Sequence, residues 1–360
     1  MNQVDVAVIG AGPAGGAAAL ALAQSGLRVA VLEQARLPRR KPCGGLMPAS
    51  VMERLDWDFG NLIKHSGSRF SFSQNFRSPI ERHIGEGALL LVERSEFDQA
   101  LVQEAIKRSS GRVSLHEECR VMDIFENQSD VIVQCRSGEG FVARALIGAD
   151  GVNGVTARKT GLNSDAQNAV AIDMDLDVTM ATHDRWAGQV EFNFFCIPNG
   201  YGWVFPKEAG RLSVGLLSWD KAGGIRASLE AFVARNLDVS DIIDSTTHGY
   251  PIPAYRGISN LSRSRVCLAG DAASLVDPVS GEGIRFAVES GLLAAQKVDE
   301  MLNIDDAKAI SDGYPTALAS ADGVWAGLEH SWRFVSLAFN GSPDFFYEHH
   351  IAQSNTPFYW

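Results

Sequence analysis

Short apolar runs and one alanine-rich stretch alternate at the start of the chain. Residues 4–9 and 28–32 are compact apolar runs, and residues 13–25 between them are rich in alanine. Short apolar runs bounded by glycine or charged residues predict strands, and the longer alanine-rich stretch predicts a helix. A strand, a helix and a strand in this order form a βαβ unit, which predicts a parallel sheet.

Period-two alternation replaces this pattern in the centre of the chain. Strands are predicted at residues 171–177, 189–196, 202–206 and 211–219. In the last of these, Leu212, Val214 and Leu216 lie on one face, because successive side chains of a strand point to opposite sides. We therefore expect an antiparallel sheet here, in a second domain inserted into the first.

Helical and mixed patterns flank this centre. Residues 95–109 predict a helix with Phe97 and Leu101 on its apolar face, and a long helix is predicted from about 284 to 302. Further strands are predicted at residues 113–115, 120–126, 131–135, 141–147 and 266–268. Residues 34–65 are rich in proline and glycine, which predicts a loop.

Composition limits the class of protein. The 360 residues are 46% hydrophobic and 21% charged, which fits a globular chain of about two domains. The net charge of −11 argues against nucleic acid as a partner, because an acidic surface repels phosphate. Residues 6–27 carry no charge, but the glycines within them and Asp5 before them argue against a membrane span or a cleaved leader.

Cysteine, histidine and basic residues add little specific chemistry. Five cysteines, at positions 43, 119, 135, 196 and 267, form no CxxC pair, and the eight histidines form no HExxH motif. Neither a disulfide framework nor a metal site is predicted, and a reducing cytoplasmic compartment is favoured. One basic run, residues 36–41, is either a solvated loop or a contact for a phosphorylated ligand.

Glycines follow the first predicted strand at the spacing of a dinucleotide-binding turn. Gly10, Gly12 and Gly15 form a GxGxxG motif at the start of the alanine-rich helix, and Glu33 follows the second strand. Gly10 allows the sharp turn, and Gly12 lets a pyrophosphate approach the backbone at the helix N-terminus. Glu33 can accept hydrogen bonds from ribose hydroxyls, so a dinucleotide cofactor is expected.

Two further strand-to-turn motifs indicate which dinucleotide this is. Asp150-Gly151 follows the predicted strand 141–147, and Gly270-Asp271 follows the predicted strand 266–268. The C-terminal ends of parallel strands meet at the ligand crevice, where an aspartate can bind the ribityl hydroxyls of a flavin. Either aspartate alone could be a helix N-cap, but three such motifs in this order favour FAD.

The order of these motifs resembles flavoprotein monooxygenase-like proteins with the para-hydroxybenzoate hydroxylase fold. In that group GxGxxG is followed by an arginine before a helix, here Arg94, and then by the DG and GD motifs. Three segments further resemble the geranylgeranyl reductase family, namely residues 41–45 (KPCGG), 201–207 (YGWVFPK) and 277–284 (DPVSGEGI). Gly154 departs from the pattern, because serine often stands there, and the C-terminal part is shorter than in many members.

The resemblance implies an α/β fold with a Rossmann-like parallel-sheet FAD-binding domain, an inserted antiparallel-sheet substrate domain and a helical C-terminal part. Residues 1–68, 94–168 and 258–335 would form the FAD-binding domain, residues 69–93 and 169–257 the substrate domain, and residues 336–360 an aromatic-rich tail. The implied activity is reduction of C=C bonds in a polyprenyl substrate, with hydride from the reduced flavin N5.

The resemblance also assigns site residues. Cys43 is the candidate catalytic residue, as a proton donor or by shaping the pocket, although a merely buried cysteine is the alternative. Tyr201, Trp203 and Phe205 share one strand face and are assigned to the substrate pocket, the alternative being ordinary sheet-core aromatics. The residues expected at FAD are Gly10, Gly12, Pro13, Ala14, Gly15, Glu33, Gln34, Cys43, Gly44, Gly45, Arg94, Val121, Asp150, Gly151, Gly270, Asp271, Pro278, Gly281, Gly283 and Ile284.

Electron donor, membrane contact and rival functions stay open on the sequence alone. No second GxGxxG motif occurs, so either NADPH binds transiently, with residues 36–41 near its phosphate, or ferredoxin delivers the electrons. The aromatic residues from Trp325 to Trp360 form an entrance or a peripheral membrane contact for a prenyl lipid, or they pack against the flavin domain. The rival functions are a flavin monooxygenase or halogenase, a non-redox isoprenoid cyclase, and a flavin-dependent lipid carrier.

Overall fold

The computed structural model describes residues 1–85, 87–163, 168–220, 223–257, 260–320, 324–340, 344 and 347–352. In this part of the chain the strands are β1 (Asn2–Ile9), β2 (Val29–Leu32), β3 (Leu46–Pro48), β4 (Ile63–Gly67), β5 (Arg69–Gln74), β6 (Arg77–His83), β7 (Leu89–Val92), β8 (Val113–His116), β9 (Val121–Glu126), β10 (Val131–Cys135), β11 (Gly140–Gly148), β12 (Asn168–Val178), β13 (Gln189–Phe194), β14 (Gly200–Pro206), β15 (Arg211–Ser218), β16 (Ile242–Pro253), β17 (Ser262–Arg263) and β18 (Val266–Leu268). The α-helices are α1 (Pro13–Leu22), α2 (Ser50–Leu55), α3 (Arg94–Arg108), α4 (Thr156–Thr160), α5 (Met180–Trp186), α6 (Ile225–Asn236), α7 (Ile284–Ile304), α8 (Lys308–Ser311), α9 (Gly313–Ser320) and α10 (Val324–Asn340).

The first sheet carries the predicted βαβ unit. Its strand order is β17-β18-β11-β1-β2-β8, and β1 pairs in parallel with both β2 and β11. Helix α1 lies between α3 and α7, and small residues on both sides permit close packing: a side chain on Gly16 of α1 would lie 2.7 Å from Leu101, and one on Gly291 of α7 would overlap the backbone of Ala14. The predicted Rossmann-like parallel sheet is confirmed.

The second sheet is the one predicted for the centre of the chain. Its order is β16-β12-β15-β14-β13-β5-β6, and its pairs are antiparallel except for β13 with β5, which run in parallel. One face packs on α6 through Leu216, Leu229 and Phe232. The opposite face carries most of the aromatic side chains and points towards the first sheet's domain.

The region predicted as loop contains a third, smaller sheet. Strands β3 and β4 both pair with β7, and α2 follows β3 directly. Met47 and Val51 are fully buried, so their apolar side chains stabilise a short strand and a short helix. These elements are not evident from the sequence, because the segment is rich in proline and glycine. The sequence predicts a loop-rich segment at residues 34–65, and it misses only these short strands and helices.

A disulfide joins Cys119 and Cys135, contrary to the expectation from cysteine spacing. Strands β9 and β10 pair in antiparallel fashion with Val121 opposite Cys135, which brings the two cysteines to a Cα–Cα distance of 5.7 Å. The spacing along the chain does not reveal this cross-strand pair. The cysteine pattern therefore no longer supports a reducing compartment.

The C-terminal helices pack on both sheets. Trp325 is buried on Tyr255 in the core of the first sheet's domain, with ring centroids 5.2 Å apart. Tyr347 is buried against the second sheet and donates hydrogen bonds to the carbonyl groups of Phe72 and Ser78, at 3.0 and 2.7 Å. The aromatic residues 345, 346 and 358–360 of the predicted tail lie outside the described residues. None of the described helices has the length and apolarity needed to cross a bilayer.

Candidate active site

The larger of two adjoining cavities lies where the parallel strands end. Three backbone hydrogen bonds, from Gly10 to Leu32, from Ala149 to Ile9 and from Ala269 to Gly148, hold the ends of β1, β2, β11 and β18 together at 2.8–2.9 Å. The cavity at this edge has a volume of about 360 Å³. Sites for small ligands typically have volumes of about 300–1,000 Å³, and they occur at this edge of parallel sheets.

Glycine is required at two positions of the first turn. Gly10 has a φ of +99°, and a Cβ on it would overlap the carbonyl oxygen of Ala149. A Cβ on Gly15 would overlap the carbonyl oxygen of Gly10, so Gly15 permits the turn to pack but does not line the cavity. Gly12 differs from both, since a Cβ on it would meet only the guanidinium nitrogens of Arg39 and Arg94, at ordinary contact distances of 3.7 and 4.0 Å.

A network of charges surrounds the turn at Gly12. Arg94 donates two hydrogen bonds to Asp98, at 2.8 and 2.9 Å, and Arg39 bridges Asp98 and Glu33, at 3.0 and 3.2 Å. Burial works to lower the pKa of Arg94, but the charge and hydrogen bonds of Asp98 raise it above its ordinary value. Glu33 also accepts hydrogen bonds from the amides of Ala11 and Ala35. The network fixes two cations over the Gly12 backbone.

Lys41 lines the same cavity. Its ammonium group is 3.8 Å from Asp271 and 3.2 Å from the centre of the Tyr250 ring. Burial lowers the pKa of Lys41 to about 8, although Asp271 opposes this shift. Burial also raises the pKa of Tyr250 to about 12. The basic run 36–41 is therefore partly a cavity wall, in which Arg40 also pairs with Asp175 at 2.5 Å.

Asp150 explains why glycine, and not serine, stands at position 154. One carboxylate oxygen of Asp150 accepts hydrogen bonds from the amides of Val155 and Thr156, at 2.6 and 2.9 Å. A Cβ on Gly154 would overlap this carboxyl group, so serine does not fit beside Asp150 in this conformation. The other oxygen, Oδ1, is buried and has no hydrogen-bond partner in the described part of the chain. Burial raises the pKa of Asp150 against the effect of these hydrogen bonds.

A smaller apolar cavity adjoins the first. Its volume is about 110 Å³, and Tyr201, Trp203 and Phe205 of β14 line it together with Phe192 and Leu217. The two cavities share Pro42, Cys43, Tyr250, Ile252, Gly281, Gly283 and Ile284. Cys43 therefore stands at the boundary between a polar space and an apolar one, and its sulfur accepts a hydrogen bond from the amide of Gly45 at 3.3 Å.

Tyr201 joins the aromatic face to the glycine-rich segment before α7. Its hydroxyl donates to the carbonyl oxygen of Ser280 and lies against Gly281, whose φ is +70°. Asp277 holds this segment in place, because its carboxylate accepts hydrogen bonds from the amide and hydroxyl of Ser280, at 2.7 and 2.9 Å. Burial raises the pKa of Tyr201, so the hydroxyl stays a donor.

Lys207, the last residue of the 201–207 motif, connects three elements. It is 2% exposed, donates to the carbonyl oxygen of Val92 at 3.1 Å and lies 3.3 Å from the Glu93 carboxylate. A Cβ on Gly45 would lie 2.7 Å from the Lys207 ammonium group. Lys207 therefore fixes the sheet against the loop that carries Cys43 and against the start of α3.

Most of the predicted site residues line one of the two cavities. Those at the larger cavity are Gly10, Gly12, Pro13, Ala14, Glu33, Gln34, Cys43, Arg94, Val121, Asp150, Gly151, Asp271, Gly281, Gly283 and Ile284. Gly44 and Gly45 line the apolar cavity with the three β14 aromatics, whereas Gly15, Gly270 and Pro278 line neither. The polar lining residues that the sequence does not assign include Arg39, Lys41, Tyr250 and Asp173. The first two belong to the basic run, which was left open, and the other two are polar residues on the inner face of strands.

Known proteins resemble the chain over most of its length. A sequence profile of the FAD binding domain family matches residues 3–317. Digeranylgeranylglycerophospholipid reductase 1 of Methanopyrus kandleri is 29% identical over 338 residues, covering 85% of this chain and 83% of the relative. Menaquinone reductase of Mycobacterium tuberculosis is 29% identical over 321 residues, covering 83% of this chain and 77% of the relative.

A solved structure shares the fold. It is a geranylgeranyl bacteriochlorophyll reductase-like protein from Thermoplasma acidophilum, with a TM-score of 0.83 and 21% identity over 98% of this chain and 92% of that chain. The predicted fold class is confirmed by this match and by the sheets themselves. The predicted cofactor, FAD, is confirmed by the family match.

The larger cavity fits such a cofactor. A diphosphate needs cations and a backbone without a side chain, and Arg39, Arg94 and Gly12 offer both in one place. A buried, unpartnered carboxylate oxygen needs a donor, and Asp150 Oδ1 would find one in a ligand hydroxyl. The particular contacts of each residue with FAD stay predictions.

Proposed function

The chain belongs to the FAD binding domain family and, within it, to the geranylgeranyl reductase group of FAD-dependent oxidoreductases, and on this premise we propose that it reduces C=C bonds in the polyprenyl part of an isoprenoid lipid. The observation that carries the proposal is the adjacency of the two cavities. An apolar space lined by the β14 aromatics opens onto the cofactor cavity at Cys43 and at residues 281–284. A hydrocarbon chain requires such a lining, because few polar groups there have to be desolvated.

The residues around the boundary have separate tasks in this proposal. FAD, once reduced, supplies a hydride and its electron pair to one carbon of the double bond. Gly44 and Gly281 keep the approach open, since a Cβ on Gly44 would lie 2.7 Å from the Phe205 ring. Trp203 and Phe205 hold the hydrocarbon and exclude water, and Cys43 is proposed to act at the reacting carbons or to shape the space around them.

Other predictions belong to the same proposal. A reduced nicotinamide or a ferredoxin would deliver the electrons, and the division into FAD-binding and substrate domains would follow the ranges given above. A peripheral membrane contact of the C-terminal segment would give a lipid substrate access to the apolar cavity. The described part of that segment packs against the aromatic face through Val335, Tyr347 and Ile351.

Anaerobic turnover tests the proposed function directly. The purified protein is expected to be yellow, to be reduced by dithionite and to be reoxidised by geranylgeranyl diphosphate without oxygen. Mass spectrometry should then show products heavier by two hydrogens for each reduced bond. An unchanged mass would support a cyclase, and oxygen uptake with an aromatic substrate would support a monooxygenase; either result contradicts the proposal.

Replacement of the boundary cysteine tests its role in the reaction. Cys43→Ala is expected to suppress alkene reduction at least tenfold while FAD stays bound, because Arg39, Arg94 and Gly12 are untouched. Cys196→Ala is the matched control, since Cys196 lines neither cavity. Unchanged turnover of Cys43→Ala would remove Cys43 from the reaction.

A further inference from the structure

Two residues with carboxyl groups line the apolar cavity, Glu282 and Asp173. Glu282 is engaged at the start of α7, where it accepts a hydrogen bond from the amide of Arg285 at 2.7 Å and faces the guanidinium of the same residue. Asp173 is different. It is 5% exposed, and no other residue of the described chain donates a hydrogen bond to its carboxylate.

Strand register explains why this carboxyl group reaches the cavity. Asp173 on β12 lies opposite Gly215 of β15, and Gly215 lies opposite Trp203 of β14. Directly opposed residues stand on the same face of a sheet. Because Gly215 has no side chain, the Trp203 indole lies over it, where a Cβ would overlap the ring. The aromatic lining of the cavity thus extends as far as Asp173, whose carboxyl group lies at its edge.

We infer that Asp173, rather than Cys43, is the proton donor for the alkene reduction, an inference that rests on the proposed function and leaves Cys43 the task of shaping the space around the reacting carbons. In this step one alkene carbon would take the hydride that FAD supplies when bound and reduced, which would leave the flavin oxidised. The other alkene carbon takes the proton from the Asp173 carboxyl group, so the O–H bond breaks as the second C–H bond forms. Two hydrogens and two electrons enter the product, and the Asp173 carboxylate then regains a proton from water.

The surroundings of Asp173 favour its protonated form. Burial raises the pKa of Asp173 to about 6, and the negative charge of Asp175 acts in the same direction, whereas Arg40 and Lys207 oppose the shift. A hydrocarbon in the cavity would displace water and raise the pKa further. A general acid works best when its pKa lies near the working pH, which this carboxyl group approaches.

The titratable and charged groups packed around Asp173 come from several elements. They are Asp175 on β12, Arg40 in the loop before Cys43, Lys207 after β14 and His248 on β16, to which the apolar cavity adds Cys43, Tyr250 and Glu282 in the described part of the chain. His248 lies directly opposite Asp173, and its Nε2 is buried without a hydrogen-bond partner in the described part of the chain.

Single-turnover kinetics on the FAD-loaded protein test the inference. The dithionite-reduced protein is mixed anaerobically with geranylgeranyl diphosphate, and flavin reoxidation and product mass are followed from pH 5 to pH 8. For the wild-type protein the rate is expected to be highest at low pH and to fall about tenfold per pH unit above the Asp173 pKa, because only the protonated acid reacts. Asp173→Asn is expected to lose about a hundredfold at pH 6 and to lose this pH dependence.

Asp175→Asn is the matched control, because Asp175 is two residues further along the same face but lies outside both cavities. It is expected to keep the rate at low pH within about threefold, and its pH limb should move to lower pH, because the like charge that raises the Asp173 pKa is gone. Asp173→Glu should recover part of the rate together with a pH limb. Flavin absorbance and the unfolding temperature show whether each variant is folded.

The outcomes separate this inference from the proposed function. If the wild-type protein reduces the prenyl chain but Asp173→Asn keeps its rate or its pH limb, Asp173 is not the donor. Equal losses in Asp173→Asn and Asp175→Asn also overturn the inference, since they indicate a general effect of charge. Should Asp173→Asn not fold, a wild-type rate that is flat from pH 5 to pH 8 overturns it. No reduced product from the wild-type protein overturns the proposed function itself.

Discussion

The cofactor cavity and the apolar cavity share a wall but are built in different ways. The cofactor cavity is made of turns at strand ends and of charges that already pair with one another, such as Arg94 with Asp98. The apolar cavity is made of single side chains from neighbouring strands, such as Phe192, Trp203 and Leu217. The first depends on backbone conformation within short segments, and the second depends on the register between strands. Adding one methyl group to a glycine should therefore have different consequences in the two cavities.

The largest expected effect is in the cofactor cavity. Gly10→Ala places a methyl group onto the carbonyl oxygen of Ala149 at a residue with a φ of +99°. Relief of this overlap has to separate the ends of β1 and β11, which form the edge of the FAD site. We expect a loss on the order of 4 kcal/mol, about a thousandfold in FAD affinity, so that the protein is purified without flavin. Flavin content per protein and FAD titration measure the effect.

Gly26→Ala provides the control for backbone strain alone. Gly26 also has a positive φ, +82°, but no atom lies within 4 Å of the added methyl group. The expected cost is only about 1 kcal/mol in unfolding free energy, with FAD content unchanged. If Gly10→Ala retains its flavin as Gly26→Ala does, overlap at the strand ends is not what shapes the cofactor site.

An intermediate effect is expected where the two cavities are fixed to each other. Lys207→Met removes the hydrogen bond to Val92 and leaves Glu93 without the cation that faces it. We expect about 2 kcal/mol less stability in urea unfolding, less than for a fully buried pair, because Glu93 remains 24% exposed. Lys107→Met, at a lysine that is 76% exposed, should change stability by less than about 0.5 kcal/mol. Equal values for the two variants would contradict the connecting role of Lys207.

The same contrast decides how far the sequence predicts the molecule. GxGxxG, DG and GD are local patterns, so they predict the strand–turn–helix geometry and most of the cofactor cavity. The disulfide and the place of Asp173 depend on which strands pair and in which register, and neither follows from spacing along the chain. Tyr201 and Trp203 were assignable because a two-residue spacing fixes a shared face. The residues opposite them on the neighbouring strand, such as Gly215, could not be assigned in this way.

The smallest expected effect is on the aromatic face of the second sheet. It is the opposite of the effect at Gly10, because turnover is lost while flavin is retained. Gly215→Ala is compatible with the strand backbone, but its methyl group overlaps the indole of Trp203. The indole is displaced into the apolar cavity, whereas the residues around Gly12 are not disturbed. We expect full flavin content and about a tenfold loss in the rate of prenyl reduction, equivalent to about 1.4 kcal/mol.

Gly249→Ala is the control within the same sheet, because its added methyl group meets its nearest atom, the carbonyl oxygen of Ala171, at an ordinary 3.7 Å. It should leave both flavin content and turnover unchanged. Trp203→Phe, combined with Gly215→Ala, should recover part of the lost rate, because the smaller ring leaves room for the methyl group. Recovery in the double variant would locate the defect in the contact between strands. A loss of flavin from Gly215→Ala would instead mean that the two cavities do not behave independently. The altered contact between strands of the second sheet would then have disturbed the strand ends that form the FAD site.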